Sequence, residues 1–253
     1  MLTIVQEHDP DIQNVPLFAT CPTFFKSIHS SYYDFTFVWD KAADYAVRYQ
    51  KYTYYPVMGI ARFNLYILSL HHLLMGPRPS KSTVWIRNTE VACMACYWFL
   101  FGYCLLWRTL PDWSTRVAFV LISHIVTMPL HVQITLSHWG MPTADLGENE
   151  SFPQRQLRTT MDVDCPAWLD FIHGGLQFQA VHHLFPRVPR HNLRRLQVLV
   201  REFCEQTEIK YTILNFVKGN EKVLGRLEEV AAQMHLMLQC QKYMAETGES
   251  GLH

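Results

Sequence analysis

Two long apolar runs occupy the middle of the chain. Residues 91–107 and 117–136 contain no formally charged side chain, although histidines interrupt the second run. At about 1.5 Å per helical residue, runs of this length approach the roughly 30 Å thickness of a bilayer's hydrocarbon core. A short polar link, Arg108–Arg116, lies between them. The pattern therefore predicts an antiparallel transmembrane hairpin over residues 91–136.

Basic residues are unevenly distributed around this predicted hairpin. Arg78, Lys81 and Arg87 precede it and the Lys and Arg residues of the C-terminal region follow it, whereas the link contains only Arg108 and Arg116. Cytosolic flanks of membrane spans carry an excess of Lys and Arg. Both outer ends are therefore predicted to face the cytosol, and the link is predicted to face the lumen.

The residues before the hairpin mix aromatic, basic and apolar side chains. The aromatic and basic residues up to Tyr55 are typical of a water–lipid boundary. The apolar stretch that follows contains Arg62 and Asn64, which are costly inside a bilayer. We therefore predict a loop and interfacial segment over residues 1–55 and an interfacial helix over residues 56–75, not a full span.

Residues 137–253 are predicted to form a cytosolic helical region. One amphipathic helix places its apolar residues on a single stripe: Leu193, Leu196, Leu199, Val200 and Phe203. A final helix from about Glu221 does the same with Val223, Leu227, Val230 and Met234. Both helices are predicted to pack in a cytosolic domain.

Composition supports a membrane protein and excludes nucleic acid as a partner. Apolar residues make up 49% of the 253 residues and charged residues only 17%, against about 25% charged in soluble domains. Lys plus Arg and Asp plus Glu both number 22, so no global basic field exists to bind nucleic acid. Seven scattered cysteines indicate reduced packing residues, not a secreted disulfide framework.

Metal-binding side chains crowd into one apolar stretch. On a helix, Gln179 lies three residues before His182 and four before His183, so the three side chains can surround one point. Such a set suits an imidazole-rich iron, zinc or copper site. Taken alone, two adjacent buried histidines are more often hydrogen-bonded structure than ligands, so both interpretations stay open.

Three further histidines form a stripe in and beyond the second apolar run. His124, His131 and His138 are seven residues apart, which keeps them on one helix face with a drift of about 20° per step. Ionisable groups inside a span usually face the protein interior. Successive members are about 10.5 Å apart along the axis, too far to share one ion. His138 is therefore predicted to be a ligand, His131 to support a ligand, and His124 to be structural.

A polar stretch over residues 141–166 leaves several roles open. The arginines of Gln154–Arg158 suit a lipid headgroup, an acidic electron donor or a solvated face. Asp162, Asp164 and, just beyond the stretch, Asp170 can either orient ligating imidazoles or act as helix caps and surface charges.

The segment from Gln179 to Pro186 resembles the third histidine box of membrane front-end desaturases, in the form seen in fungal delta-8 sphingolipid desaturases. Further stretches resemble the same family: Asp9–Gln13, Arg62–Asn64, Gln133–Trp139, Ala144–Gly147 and Ser151–Pro166. The resemblance covers nearly all of residues 9–235. Val181 departs from it, because related fungal sequences commonly have Glu immediately before the histidine pair.

The resemblance implies an all-α integral membrane protein with a transmembrane hairpin, an interfacial helix and a cytosolic metal-binding cap. It implies a diiron centre, electrons from cytochrome b5, a ceramide or other sphingolipid substrate in the bilayer, and a multi-pass location in the endoplasmic reticulum membrane with the histidine box facing the cytosol. His182 and His183 carry over as metal ligands, and His138 matches an additional ligand position. Gln179 and His131 are further candidates.

The resemblance also predicts an incomplete site. The family's first two histidine boxes are not found, so the chain resembles the C-terminal part of a longer desaturase, and weak or absent activity is predicted for it in isolation. Two alternatives stay open. One is a non-catalytic membrane scaffold or partner of a full-length desaturase, and the other is a lipid hydroxylase with the same iron chemistry.

Overall fold

The chain is mostly helical and divides into two compact units. The computed structural model describes residues 17–22, 25–30, 35–76, 84–143 and 150–247. The first unit contains residues 1–54 and 132–253, and the second contains residues 55–131. The family-like stretches at Asp9–Gln13 and Ala144–Gly147 lie outside the described residues.

Within the described residues, three stretches of helix are long and apolar enough to cross a membrane: Gln50–Met75, Val84–Thr109 and Trp113–Trp139. The first is helix α2. The second consists of α3 (Val84–Tyr97) and a π-helix (Trp98–Thr109), and the third of α4 (Trp113–Ile125) and α5 (Met128–Trp139). The second and third contain the two apolar runs that predicted a hairpin. The first begins six residues before the predicted interfacial helix, and by length and composition it is a third candidate span.

A tight link joins the second and third candidate spans. Asp112 begins α4 by accepting a hydrogen bond from the backbone N–H of Thr115 at 2.9 Å. The Arg116 guanidinium donates to the carbonyls of Leu110 and Trp107, at 2.9 and 3.1 Å. It also lies 4.7 Å from the centroid of the Trp107 ring. The polar residues of the predicted link thus satisfy the backbone groups where two helices end.

Helix α10 (Phe216–Thr247) supplies much of the first unit's core. Its predicted apolar stripe is confirmed, since Val223, Leu227, Val230 and Met234 are all fully buried. Val230 and Met234 pack against Val47 of α1 (Lys41–Arg48).

A buried amide joins the start of α2 to α10. The side chain of Gln50 accepts from the Ala19 N–H at 2.9 Å and donates to the Leu227 carbonyl at 2.7 Å. These bonds satisfy backbone groups that would be costly to bury unpaired.

The rest of the first unit consists of short elements: α6 (Phe152–Thr159), β3 (Asp162–Asp164), α7 (Asp170–His173), α8 (Gln179–Leu184), α9 (Leu193–Thr207) and β4 (Ile213–Asn215). Strands β3 and β4 pair in parallel, and β1 (Ile28–Ser30) pairs antiparallel with β2 (Phe35–Phe37). The all-α prediction misses these strands because three residues are too few to show an alternating pattern.

The predicted apolar stripe of helix α9 is partly wrong. Leu193 and Val200 are buried, but Leu199 and Phe203 are exposed, and Cys204 is buried instead. Positions 193, 200 and 204 follow the spacing of one helix face, whereas 199 and 203 lie on its flank.

Candidate functional site

His138 is held at the buried end of α5. The next residue, Trp139, packs against the rings of Phe18 and Tyr54, with centroids 5.0 and 5.7 Å away. On the other side, the Met161 N–H donates to the Ser137 carbonyl at 2.9 Å. The backbone around His138 is therefore fixed from both directions, and its imidazole is fully buried.

The histidine pair lies on the six-residue helix α8. A carboxylate oxygen of Asp162 accepts from the Ala180 N–H at 2.7 Å and so satisfies a backbone donor in the first turn of this helix. Ala180 and Val181 are fully buried, which fixes α8 in the core. His183 is buried as well, whereas His182 is half-buried.

The fold brings His138 and His183 together although 45 positions separate them in the chain. Their rings are nearly parallel, with centroids 5.0 Å apart and 28° between the planes. The centroid of the His182 ring lies 6.3 Å from that of His183. The Gln179 amide nitrogen lies 3.2 Å from Nε2 of His183. Three of the predicted residues thus surround His183.

A residue that the sequence did not single out, Gln156 of α6, fixes the orientation of His183. Its side chain is fully buried, and its Oε1 lies 3.1 Å from Nδ1 of His183. An amide oxygen can only accept, so Nδ1 carries the proton. Nε2 therefore holds the lone pair, toward which Gln179 points its amide. Gln156 lies in the polar stretch 154–158, and the sequence contains no signal that pairs it with His183.

Burial keeps the two imidazoles of the pair neutral. Burial, together with the neighbouring His138 and His182, lowers the pKa of His183 to about 3. Burial and then Arg190 lower the pKa of His182. Neutral imidazole is the form that binds a metal ion, so both histidines are available as ligands at pH 7.

Of the three aspartates, two act as structural anchors. Asp162 accepts hydrogen bonds from Gln197 at 3.0 Å and from the Tyr211 hydroxyl, in addition to the Ala180 N–H. Asp170 pairs with Arg194, and Asp164 is exposed. In the described part of the chain, these bonds of Asp162 and Asp170 support the cap and ion-pair interpretation, not the orientation of imidazoles.

The other two histidines of the stripe lie in the second unit. His124 stacks on Phe63 with centroids 4.4 Å apart, and its Nδ1 lies 2.7 Å from the Val120 carbonyl oxygen. Nδ1 of His131 lies 3.0 Å from the Thr127 carbonyl oxygen. All three stripe histidines are buried, as predicted. The contacts of His124 agree with a structural role, and a role for His131 at the metal stays a prediction.

The donor set fits iron in its chemistry but does not complete a site. His138 and His183 are buried side by side, and the lone pair of His183 is at Nε2, where the Gln179 amide would have to give way to a metal ion. Among the described residues, however, no group of three or more His, Cys, Asp or Glu side chains is close enough to hold a metal ion. The described candidate ligands would therefore account for only part of an iron centre.

Comparison with known proteins identifies the family. The family model for fatty acid desaturases matches residues 4–215. A delta 8-(E)-sphingolipid desaturase from Emericella nidulans is 51% identical over 254 residues, covering 100% of this chain and 47% of the relative. The protein of the same description from Candida albicans is 50% identical over 238 residues, covering 93% of this chain and 41% of the relative. An acyl-lipid (9-3)-desaturase from Borago officinalis is 37% identical over 228 residues, covering 90% of this chain and 49% of the relative.

The match extends over most of this chain but not of its relatives. The chain spans less than half the length of these three proteins. No solved structure matches it. Because the family model covers most of its residues, including the histidine pair, the chain belongs to the fatty acid desaturase family.

Proposed function

We propose that the chain forms part of a sphingolipid desaturase, which uses dioxygen to introduce a double bond into the long-chain base of a ceramide. The observation that carries this proposal is the stacking of His138 on His183, which brings together ligand candidates from two distant segments. The substrate is inferred from the sphingolipid desaturases that are about half identical to this chain.

His138, His182 and His183 are the residues that would hold the iron, with Gln179 and His131 as further candidates. Iron with dioxygen supplies the oxidant that removes hydrogen from an unactivated methylene pair, which no side chain can do. Gln156 holds the proton at Nδ1 of His183, so Nε2 would be the nitrogen of this ring that holds the ion.

The surroundings of the proposed site follow from the same family. Electrons would come from cytochrome b5, the substrate would reach the site from the bilayer, and the protein would reside in the endoplasmic reticulum membrane with its histidine pair on the cytosolic side. The three helices of spanning length support a multi-pass protein. The complete site would be a diiron centre, as in the family.

The test uses an exchange protein, defined as the Emericella nidulans relative in which the matching segment is replaced by this chain. It is expressed in a fungal host that lacks its own delta-8 sphingolipid desaturase, and the long-chain bases are measured by mass spectrometry. We expect the unsaturated base from the exchange protein and little or none from this chain alone. His182→Ala and His183→Ala should each abolish it.

The alternatives give different products. A hydroxylated base without a double bond would indicate a lipid hydroxylase. An exchange protein that is membrane-inserted, iron-free and inactive, with unchanged cellular phenotypes for both alanine variants, would favour a non-catalytic scaffold. Either result would contradict the proposed desaturation.

A further inference from the structure

A short helical segment of the first unit exposes three large apolar side chains. Residues Ala167–Leu169 form a 3-10 turn that continues into α7. The exposed fractions are 72% for Trp168, 93% for Phe171 and 65% for Ile172, and no other large apolar side chain in the described part of the chain is as exposed as Phe171. Their spacing of three and four residues places them on one helix face.

The charged residue of this segment faces the opposite way. The Asp170 carboxylate accepts from Nε of Arg194 at 2.7 Å and from the Gln177 amide at 2.9 Å. Arg194 also donates to the Cys165 carbonyl at 2.9 Å. The segment is therefore fixed to α9 through its polar side. Its apolar side chains point away from the protein, which is unfavourable for a helix in contact with water.

The turn after α7 is equally fixed. Gly174 and Gly175 have φ values of +59° and +89°, which L side chains rarely adopt. Arg190 donates to the Gly174 carbonyl at 2.7 Å, and a Cβ on Gly175 would lie 3.3 Å from Cβ of Arg190. The apolar face is thus presented by an ordered turn, and an exposed arginine lies at its edge.

The charged residues in the segment that carries this face are mostly basic. Residues 165–195 contain four arginines and one aspartate, and that aspartate is paired with Arg194. The other three arginines, Arg187, Arg190 and Arg195, are exposed. A tryptophan with apolar neighbours and flanking arginines is the composition of a segment that inserts into the headgroup region of a bilayer.

We propose that Trp168, Phe171 and Ile172 insert into the interfacial layer of an anionic phospholipid bilayer, with Arg190 at the phosphate level. A bilayer is the occupant that the chain itself indicates, because three of its helices have spanning length and composition. Anionic lipid also complements the exposed arginines, whereas a second copy of this face would place like charges against one another. The proposal does not depend on desaturation.

The test measures how deeply residue 171 lies in lipid. Phe171→Cys carries a nitroxide spin label in the full chain, in a background whose exposed and half-buried cysteines are serine, reconstituted in nanodiscs of phosphatidylcholine and phosphatidylserine. Power saturation then compares the label's collisions with oxygen, which concentrates in lipid, and with a water-soluble nickel chelate. Gln206→Cys, an exposed position in the last turn of α9, is the matched control.

We expect oxygen to relax the label at residue 171 severalfold more effectively than the nickel chelate, and the reverse at residue 206. Equal access of the chelate to both labels would mean that the face lies in water and would overturn the proposal. Exclusion of both relaxing agents from residue 171 would indicate a protein partner and would overturn it as well. Because Phe171 is almost fully exposed, its replacement removes little packing and should leave the fold intact.

Discussion

Gln156 determines which nitrogen of His183 can coordinate a metal. Its side-chain oxygen Oε1 lies 3.1 Å from Nδ1 of His183 and accepts the proton of that nitrogen in a hydrogen bond. We expect Gln156→Leu to weaken iron binding in the exchange protein by about 10- to 100-fold, the usual cost of losing a group that orients a ligating histidine. Gln156→Glu keeps an acceptor and should retain most of the binding. Bound iron is measured by elemental analysis across a titration of free iron.

The control for this prediction is Gln206→Leu, which makes the same change at an exposed position. The melting temperature of each variant is measured alongside, so that loss of iron is separated from loss of fold. If Gln156→Leu melts as the parent does and binds iron equally tightly, Gln156 does not position His183.

Asp162 should impose a pH dependence on stability. Burial, opposed by its hydrogen bonds, raises the pKa of this carboxyl from 3.8 to about 6. Between these values the folded state binds more protons than the unfolded state, so the free energy of unfolding falls as pH rises from about 4 to about 6. Near 1.4 kcal/mol per pKa unit, the total change is about 3 kcal/mol.

Comparison with Asp162→Asn isolates this effect. The lowered pKa of His183 makes the free energy of unfolding rise with pH below about 6.5. This contribution is present in both the parent protein and the Asp162→Asn variant, so it cancels in their difference. We therefore expect the difference in unfolding free energy between the two proteins, measured in detergent micelles, to change between pH 4 and pH 7. Parallel curves would show that the buried carboxyl titrates near its ordinary pKa.

At the scale of elements, two leucines of α10 differ in how deeply they are buried. Leu227 is fully buried, whereas Leu236 of the same helix is 61% exposed. We expect Leu227→Ala to lower the free energy of unfolding by about 2–5 kcal/mol, through lost apolar contact and the cavity left behind. Leu236→Ala should change it by less than about 0.5 kcal/mol. Chemical denaturation in micelles compares the two, and equal losses would contradict the position of α10 in the core.

Helix periodicity predicted this part of the fold because one face of α10 is buried along several turns. The same reasoning was wrong for Leu199 and Phe203 of α9, since periodicity gives a face but not its edges. The histidine pair was recognisable because its residues are close in the sequence. Gln156 was not, because its contact with His183 depends on how α6 packs against α8, which no local pattern encodes.

For the whole molecule, the packing of the first unit limits how many helices cross the membrane. Val47 packs with Val230 and Met234, and Gln50 bonds to the Leu227 carbonyl, so residues before and after the candidate spans share one core. Segments that pack together lie on the same side of a bilayer. The chain between them must therefore cross an even number of times, although three helices have spanning length.

Helix α2 is the one that we expect not to cross. It has the lowest mean hydropathy of the three candidates and contains Arg62, which suits the interface predicted from the sequence. Single cysteines at Met75, Pro111 and Gln206, in a background without exposed cysteines, are labelled in sealed vesicles with a membrane-impermeant maleimide. Met75→Cys should react from the same side as Gln206→Cys, and Pro111→Cys from the other side.

Each alternative labelling pattern has a definite meaning. If Met75→Cys and Gln206→Cys react from opposite sides, α2 crosses the bilayer and only one of the other two candidates can cross with it. If Pro111→Cys reacts from the same side as both, the hairpin does not span. The expected pattern leaves residues 47–50 and α10 on one side with two full crossings between them, in agreement with the contacts of Val47 and Gln50.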